Sequence, residues 1–182
     1  MQTDNNGLMF KKVGMDQFDS YDDEAILKQF DRYSKRIGAL LVVFSELEHT
    51  LDKAIAFIIN DRSDDIGQRV TMDMTFMQKV ELYNRFFKVY LVTSDGKNQL
   101  NKLKETVEKL KSAARIRNII AHAKWMSLDE EGFVRSKASL DDEAFIEFKY
   151  YKLTPRILYN LERKISKLDS EFFNFIDKHH LI

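Results

Sequence analysis

The segment RIRNIIAHAKW, residues 115 to 125, holds the residue types that metal-free phosphodiester chemistry requires. Arg117 offers a planar guanidinium able to pair two phosphate oxygens at once. His122, five residues on, offers an imidazole, the side chain that ordinarily titrates nearest neutral pH and can take a proton from an attacking hydroxyl. Asn118, directly after the arginine, can orient a phosphate oxygen or bind substrate. Cleaving RNA needs a proton removed from the ribose 2′-OH and charge stabilised on the phosphorane. DNA, which lacks that hydroxyl, would be spared. The competing reading is structural: His122 as a last-turn cation on the helix dipole, and Arg117 in a surface ion pair worth about 0–1 kcal/mol.

Spacing alone does not decide between them. With ten arginines and four histidines in 182 residues, an Arg-x4-His pair arises by chance about 0.2 times. The surroundings add weight. From Lys97 to Lys124 eight basic residues, Lys97, Lys102, Lys104, Lys109, Lys111, Arg115, Arg117 and Lys124, face two acidic ones, Glu105 and Glu108, a local excess of six. Such a helix would attract a phosphate backbone, with Arg115 and Lys124 drawing RNA toward the motif; its structural alternative is a solvated face. Five residues along an ideal helix turn about 140°, so Arg117 and His122 diverge within one chain. A two-fold dimer can bring the arginine of one protomer to the histidine of the other, and it supplies the second acid–base group that one chain lacks.

Other constellations are weaker. Glu46 and His49 have the Glu-x-x-His spacing of di-iron bundles, but no second copy exists and both lie off the apolar seam. His179 and His180 are adjacent, so they diverge on a helix and read as last-turn cations. Trp125 and Tyr83 can stack bases, though aromatics at helical spacing more often serve a core. Gly-rich phosphate loops and the Gly-x-Ser-x-Gly elbow are missing. No metal site and no cofactor is expected.

The elements that must hold these residues follow from periodicity. The first 21 residues are polar, contain Gly7 and Gly14 and show no period, which predicts a flexible N-terminal arm. From about Asp22, Ile26, Phe30, Tyr33, Ile37, Leu40, Phe44, Leu47, Leu51, Ala54 and Ile58 recur every three or four residues, the seam of one helix of more than about 30 residues. NDRSDDIGQ breaks it. Thr75-Phe76-Met77-Gln78 has the form of a capping box and opens a second helix with Phe76, Val80, Tyr83 and Phe87 inward. SDGKN supplies a turn, and Leu100, Leu103, Val107, Leu110 and Ala114 mark a third helix that runs into the motif.

Beyond His122 the period shifts toward two. KWMSLDEEGFVRSK reads as strand, turn and strand, and FIEFKYYKL as a further strand, a small antiparallel sheet at about 124–153. Thr154 then caps a last helix with Pro155 at its first position. The predicted fold class is all-α: an antiparallel four-helix bundle with a small β-hairpin or sheet inserted before the last helix, all within one domain at 22–182.

Composition bounds the setting. Apolar residues make up 44% of the chain, and 29 basic residues balance 29 acidic ones, so no global charge pulls the molecule to nucleic acid or membrane. Zero cysteines remove disulfides, thiolate metal sites and a cysteine nucleophile. IGALLVVF is far shorter than a membrane span, and MQTDNNGLMFKK lacks a secretory h-region. The expected setting is cytoplasmic, with no membrane partner.

On RNIIAH, an arginine, a polar neighbour, a short gap and a histidine embedded in a helical bundle, the chain resembles the HEPN superfamily (higher eukaryotes and prokaryotes nucleotide-binding). The resemblance implies a metal-independent endoribonuclease of the toxin or phage-defence type, a homodimer with two motifs facing a shared cleft. Arg117 and His122 would then be catalytic, with Asn118, Arg115 and Lys124 binding substrate. RNA would be the partner, and an antitoxin or other regulatory protein a further one. The superfamily also includes members that have lost catalysis, so a non-catalytic interaction module and a nucleotide-binding sensor of the same fold are the alternatives.

Overall fold

The computed structural model describes residues 1–14, 23–59, 64–93, 99–141 and 143–179. Among the described residues five helices run Asp23–Ile59 (α1), Asp64–Thr71 (α2), Phe76–Thr93 (α3), Leu100–Ala121 (α4) and Pro155–Asp177 (α5). Four strands, Gln2–Thr3 (β1), Met9–Gly14 (β2), Phe133–Leu140 (β3) and Ile146–Lys152 (β4), form one antiparallel sheet in the order β1-β2-β4-β3. The all-α four-helix expectation is therefore overturned: five helices accompany a four-stranded sheet, an α+β chain. The reason lies in the first 14 residues, whose strands are too short and polar to show a period but whose backbone pairs with β4, Phe10 opposite Tyr151. Residues 15–21 of the expected arm, the SDGKN turn and His180 lie outside the described residues.

The chain divides into two compact units, one of Met1–Leu41 with Ile116–Glu162 and one of Val42–Arg115 with Arg163–Ile182. The first holds the whole sheet. Phe133 and Val134 of β3 are fully buried there, and Tyr150 and Tyr151 of β4 nearly so. The segment 124–128, expected as a strand, is instead a 3₁₀ turn at Trp125–Ser127, with only a single bridge between Lys124 and Arg135.

Three reverse turns in this unit share one chemistry, at Asp4–Leu8, Asp129–Phe133 and Asp141–Phe145. In each, the fourth residue's N–H donates to the aspartate carbonyl (3.0, 3.0 and 3.1 Å), and the aspartate N–H donates to the fifth residue's carbonyl (3.0, 3.0 and 2.9 Å). An aspartate side-chain oxygen also accepts the fifth residue's N–H, at 2.9, 2.7 and 2.8 Å. The fourth residue has positive φ: 80° at Gly7, 84° at Gly132 and 63° at Ala144. Each turn is thus closed by a left-handed residue, and glycine suits that position because it has no Cβ to clash.

The second unit is helical. Leu47, Leu51 and Ala54 of α1 are completely buried, as are Val80, Tyr83, Phe87 and Leu91 of α3. Phe44 packs on Phe76 and Tyr83 on Phe172. The capping box forms as its sequence implies: Thr75 N–H donates to Gln78 Oε1 at 2.8 Å, and Gln78 N–H to Thr75 Oγ1 at 3.4 Å. Thr154 Oγ1 likewise accepts Ile157 N–H at 3.3 Å in front of Pro155. The helix α2, where sequence suggested only a break, lies against α1 through Gly67, at which a Cβ would collide with the Cα of Ala56. Among the described residues no helix is long and apolar enough to cross a membrane.

Candidate functional site

Helix α4 presents the motif at its C-terminal end. Ile116 and Ile120, four residues apart on one face, are buried and fix the rotation of the helix. That rotation leaves Arg117 half-buried, with Asn118 and His122 exposed. The His122 N–H still donates to the Asn118 carbonyl at 3.1 Å, so helical winding continues through His122. Arg117 and His122 of one chain consequently leave the helix about 140° apart. Arg117 Nη1 donates to Asn118 Oδ1 at 3.0 Å, so the two residues that the motif sets side by side are joined directly.

Two carbonyls in the last turn of α4 accept from side chains. Trp125 Nε1 donates to Ile120 O at 3.1 Å, and Ser136 Oγ to Ile119 O at 3.3 Å. Trp125 itself packs against Phe30 and Tyr33, with ring centroids 6.2 and 5.9 Å apart. Buried Ser127 then ties the chain to β3: its hydroxyl donates to Lys124 O at 2.7 Å and accepts Arg135 N–H at 2.8 Å. Lys124 N–H donates to Arg135 O at 2.7 Å. The histidine thus stands, solvent-accessible, between a capped helix end and a pinned strand edge.

Other candidates fall elsewhere. Arg115 is exposed and is the last residue of the helical unit before the motif. Trp125 and Tyr83 are both packing residues; Tyr83 is fully buried and stacks on Phe87. Glu46 and His49 are exposed on α1, and among the described residues no three His, Asp or Glu side chains gather where they could hold a metal ion. A hollow of about 370 Å³ lined by Met74, Met77, Gln78, Glu81, Leu82 and Arg85 contains no motif residue.

The basic excess of α4 is smaller in three dimensions than in sequence. Lys109 lies 2.8 Å from Glu105 and 3.1 Å from Glu171, and Lys111 lies 2.8 Å from Glu81. Hydrogen bonds to Glu105 and then Glu171 raise the Lys109 pKa, as the bond to Glu81 raises that of Lys111. Of the motif's neighbours, Lys124 is exposed and Arg135 of β3 half-buried, its guanidinium 4.5 Å from the Phe148 ring centroid. Sequence reading missed Arg135 because only strand pairing brings it beside Lys124.

It also missed a buried cation in the helical unit. Lys79, whose side chain is 8% exposed, lies 2.8 Å from both Glu48 and Asp52. Burial lowers its pKa, but hydrogen bonds to Asp52 and Glu48 outweigh that and leave it raised. The i, i+4 carboxylates on α1 were the available signal.

No family model, no curated protein and no solved structure matches the chain.

Proposed function

We propose that this protein is a metal-independent endoribonuclease of HEPN type, acting as a homodimer in a toxin or phage-defence role. The observation that carries the reading is His122 held solvent-accessible at the capped end of α4, one helical turn beyond the joined Arg117–Asn118 pair. His122 takes the proton of a ribose 2′-OH, and the 2′-oxygen attacks the adjacent phosphorus. The bond from phosphorus to the 5′-oxygen breaks, and the leaving oxygen takes a proton from the second protomer's histidine. The products are a 2′,3′-cyclic phosphate and a 5′-hydroxyl. Arg117 holds two phosphate oxygens as negative charge builds, Asn118 orients the arginine, and Arg115 and Lys124 draw in the backbone.

Unbroken winding through His122 favours a second reading, because it parts the two side chains within one protomer. Without a dimer they form no site, and the same face then serves a non-catalytic interaction module. Incubating the protein with total RNA in EDTA, beside Arg117→Ala and His122→Ala, separates the two. Cleavage by the wild type alone, leaving cyclic phosphate ends, supports the nuclease. Cleavage that persists in both variants, or that requires an added divalent ion, overturns it, and no cleavage by any of the three supports the module.

A further inference from the structure

The sheet carries a charge that the chain as a whole does not. Its strands hold Lys11, Lys12, Arg135, Lys137, Lys149 and Lys152 against Glu147 alone, in a protein of formal net charge zero. Register concentrates half of that charge. Lys12 stands opposite Lys149, and Lys149 opposite Lys137. Directly opposed residues share a face, with Cβ atoms about 4.5–5.5 Å apart. Lys12, Lys149 and Lys137 therefore form one row across three strands.

Like charges so placed destabilise a sheet. Lys12 is compensated by Glu147 at 2.7 Å, and the Lys149 ammonium lies 3.5 Å from the Phe10 ring centroid. Among the described residues Lys137 has no carboxylate partner. Its place in the row comes from a bulge: the register shifts between Arg135 and Lys137, so Ser136 is the extra residue. The Ser136 hydroxyl donates to Ile119 O, so the bulge that puts Lys137 in line also fastens β3 to the end of α4. On the same face the row to one side, Phe10, Tyr151 and Val134, is buried, and the row to the other is Gly14, Glu147 and Ser139. The lysines stand where this face leaves the core.

We propose that the row binds the phosphate backbone of single-stranded RNA and leads it to the motif, an inference that rests on the nuclease reading. The row ends on β3, the edge strand whose Arg135 is bridged to Lys124, two residues beyond His122. Three cations in single file follow one backbone, as grooves for single strands do. An anionic lipid surface fits less well, because the β3–β4 turn beside the row exposes Asp141 and Glu143.

The test measures binding of a single-stranded oligonucleotide with 2′-O-methyl riboses, which cannot be cut through its 2′-oxygen, by fluorescence anisotropy over a salt series. Wild type, His122→Ala, Lys12→Ala/Lys137→Ala and Lys12→Gln/Lys137→Gln are compared, with circular dichroism confirming the fold. Both lysine pairs are expected to weaken binding roughly tenfold and to reduce the slope of log K against log salt by about 1.4, two single-strand phosphate contacts. His122→Ala should bind as the wild type does. Wild-type affinity and slope in folded lysine variants would overturn the row, and the nuclease reading would survive if those variants also cut RNA normally. Binding of phosphatidylserine vesicles through these lysines, with none of the oligonucleotide, would overturn RNA as the occupant. Loss of cleavage in His122→Ala with binding intact keeps both readings.

Discussion

Trp125 closes the last turn of α4 by donating its indole N–H to the Ile120 carbonyl at 3.1 Å. Its ring stays against Phe30 and Tyr33, so Trp125→Phe removes the hydrogen bond while retaining most of the packing. The expected cost is about 1 kcal/mol. Urea unfolding reads it, and faster amide exchange around His122 should accompany it. Unchanged exchange there would mean the indole does not steady the motif.

Ala144 occupies, at φ 63°, the position that Gly7 and Gly132 fill in the two equivalent turns. A left-handed L-residue costs roughly 1–2 kcal/mol, partly offset by the freedom that glycine loses on folding. Ala144→Gly is expected to raise stability by about 0.5–1 kcal/mol, visible as a higher urea midpoint with unchanged slope. A lower midpoint would show that the turn does not need this conformation.

Tyr83 is completely buried, and among the described residues no group pairs with its hydroxyl. Desolvation by burial raises its pKa well above 10.0. The unfolded chain therefore ionises this tyrosine at a lower pH than the folded one, so its contribution is fully present below about pH 10 and is lost as pH rises further. Tyr83→Phe should gain about 1 kcal/mol near neutral pH and flatten the alkaline fall. Thermal melts between pH 7 and 11 check both, and an unchanged alkaline fall would assign it to other groups.

Lys79 bridges Glu48 and Asp52 from a nearly sealed position. Removing one partner of a fully buried pair costs ~3–5 kcal/mol. The carboxylates here are 31% and 25% exposed, so Lys79→Met is expected to cost about 2 kcal/mol. Because the folded pKa is raised above 10.5, the wild-type contribution persists below that value and is lost above it. A variant as stable as the wild type in urea would show that packing alone suffices.

The parts of the fold that announce themselves in sequence are those whose signals are local. Thr75 with Gln78, Thr154 with Pro155 and the long period from Phe30 to Ile58 each carry their own physics within a few residues. β1 and β2 could not be read this way. Lys11 and Lys12 are as polar as a loop, and their partners Tyr150 and Lys149 lie more than a hundred residues away. The three turns were legible in principle, since DNNGL, DEEGF and DDEAF repeat an aspartate and an apolar residue four apart. At the site, Arg117, Asn118 and His122 were visible as a motif. The clamp of Trp125, Ser127 and Ser136 was not, because it depends on strand pairing.

Nuclease chemistry at His122 is tested most directly by the single-turnover cleavage rate of one RNA in EDTA, measured for the wild type and His122→Ala, beside DNA of the same sequence. Loss of a general base is expected to slow RNA cleavage by roughly 10²–10⁴-fold, with the DNA uncut by either protein. An undiminished rate in the variant, or DNA cut as fast as RNA, would contradict it.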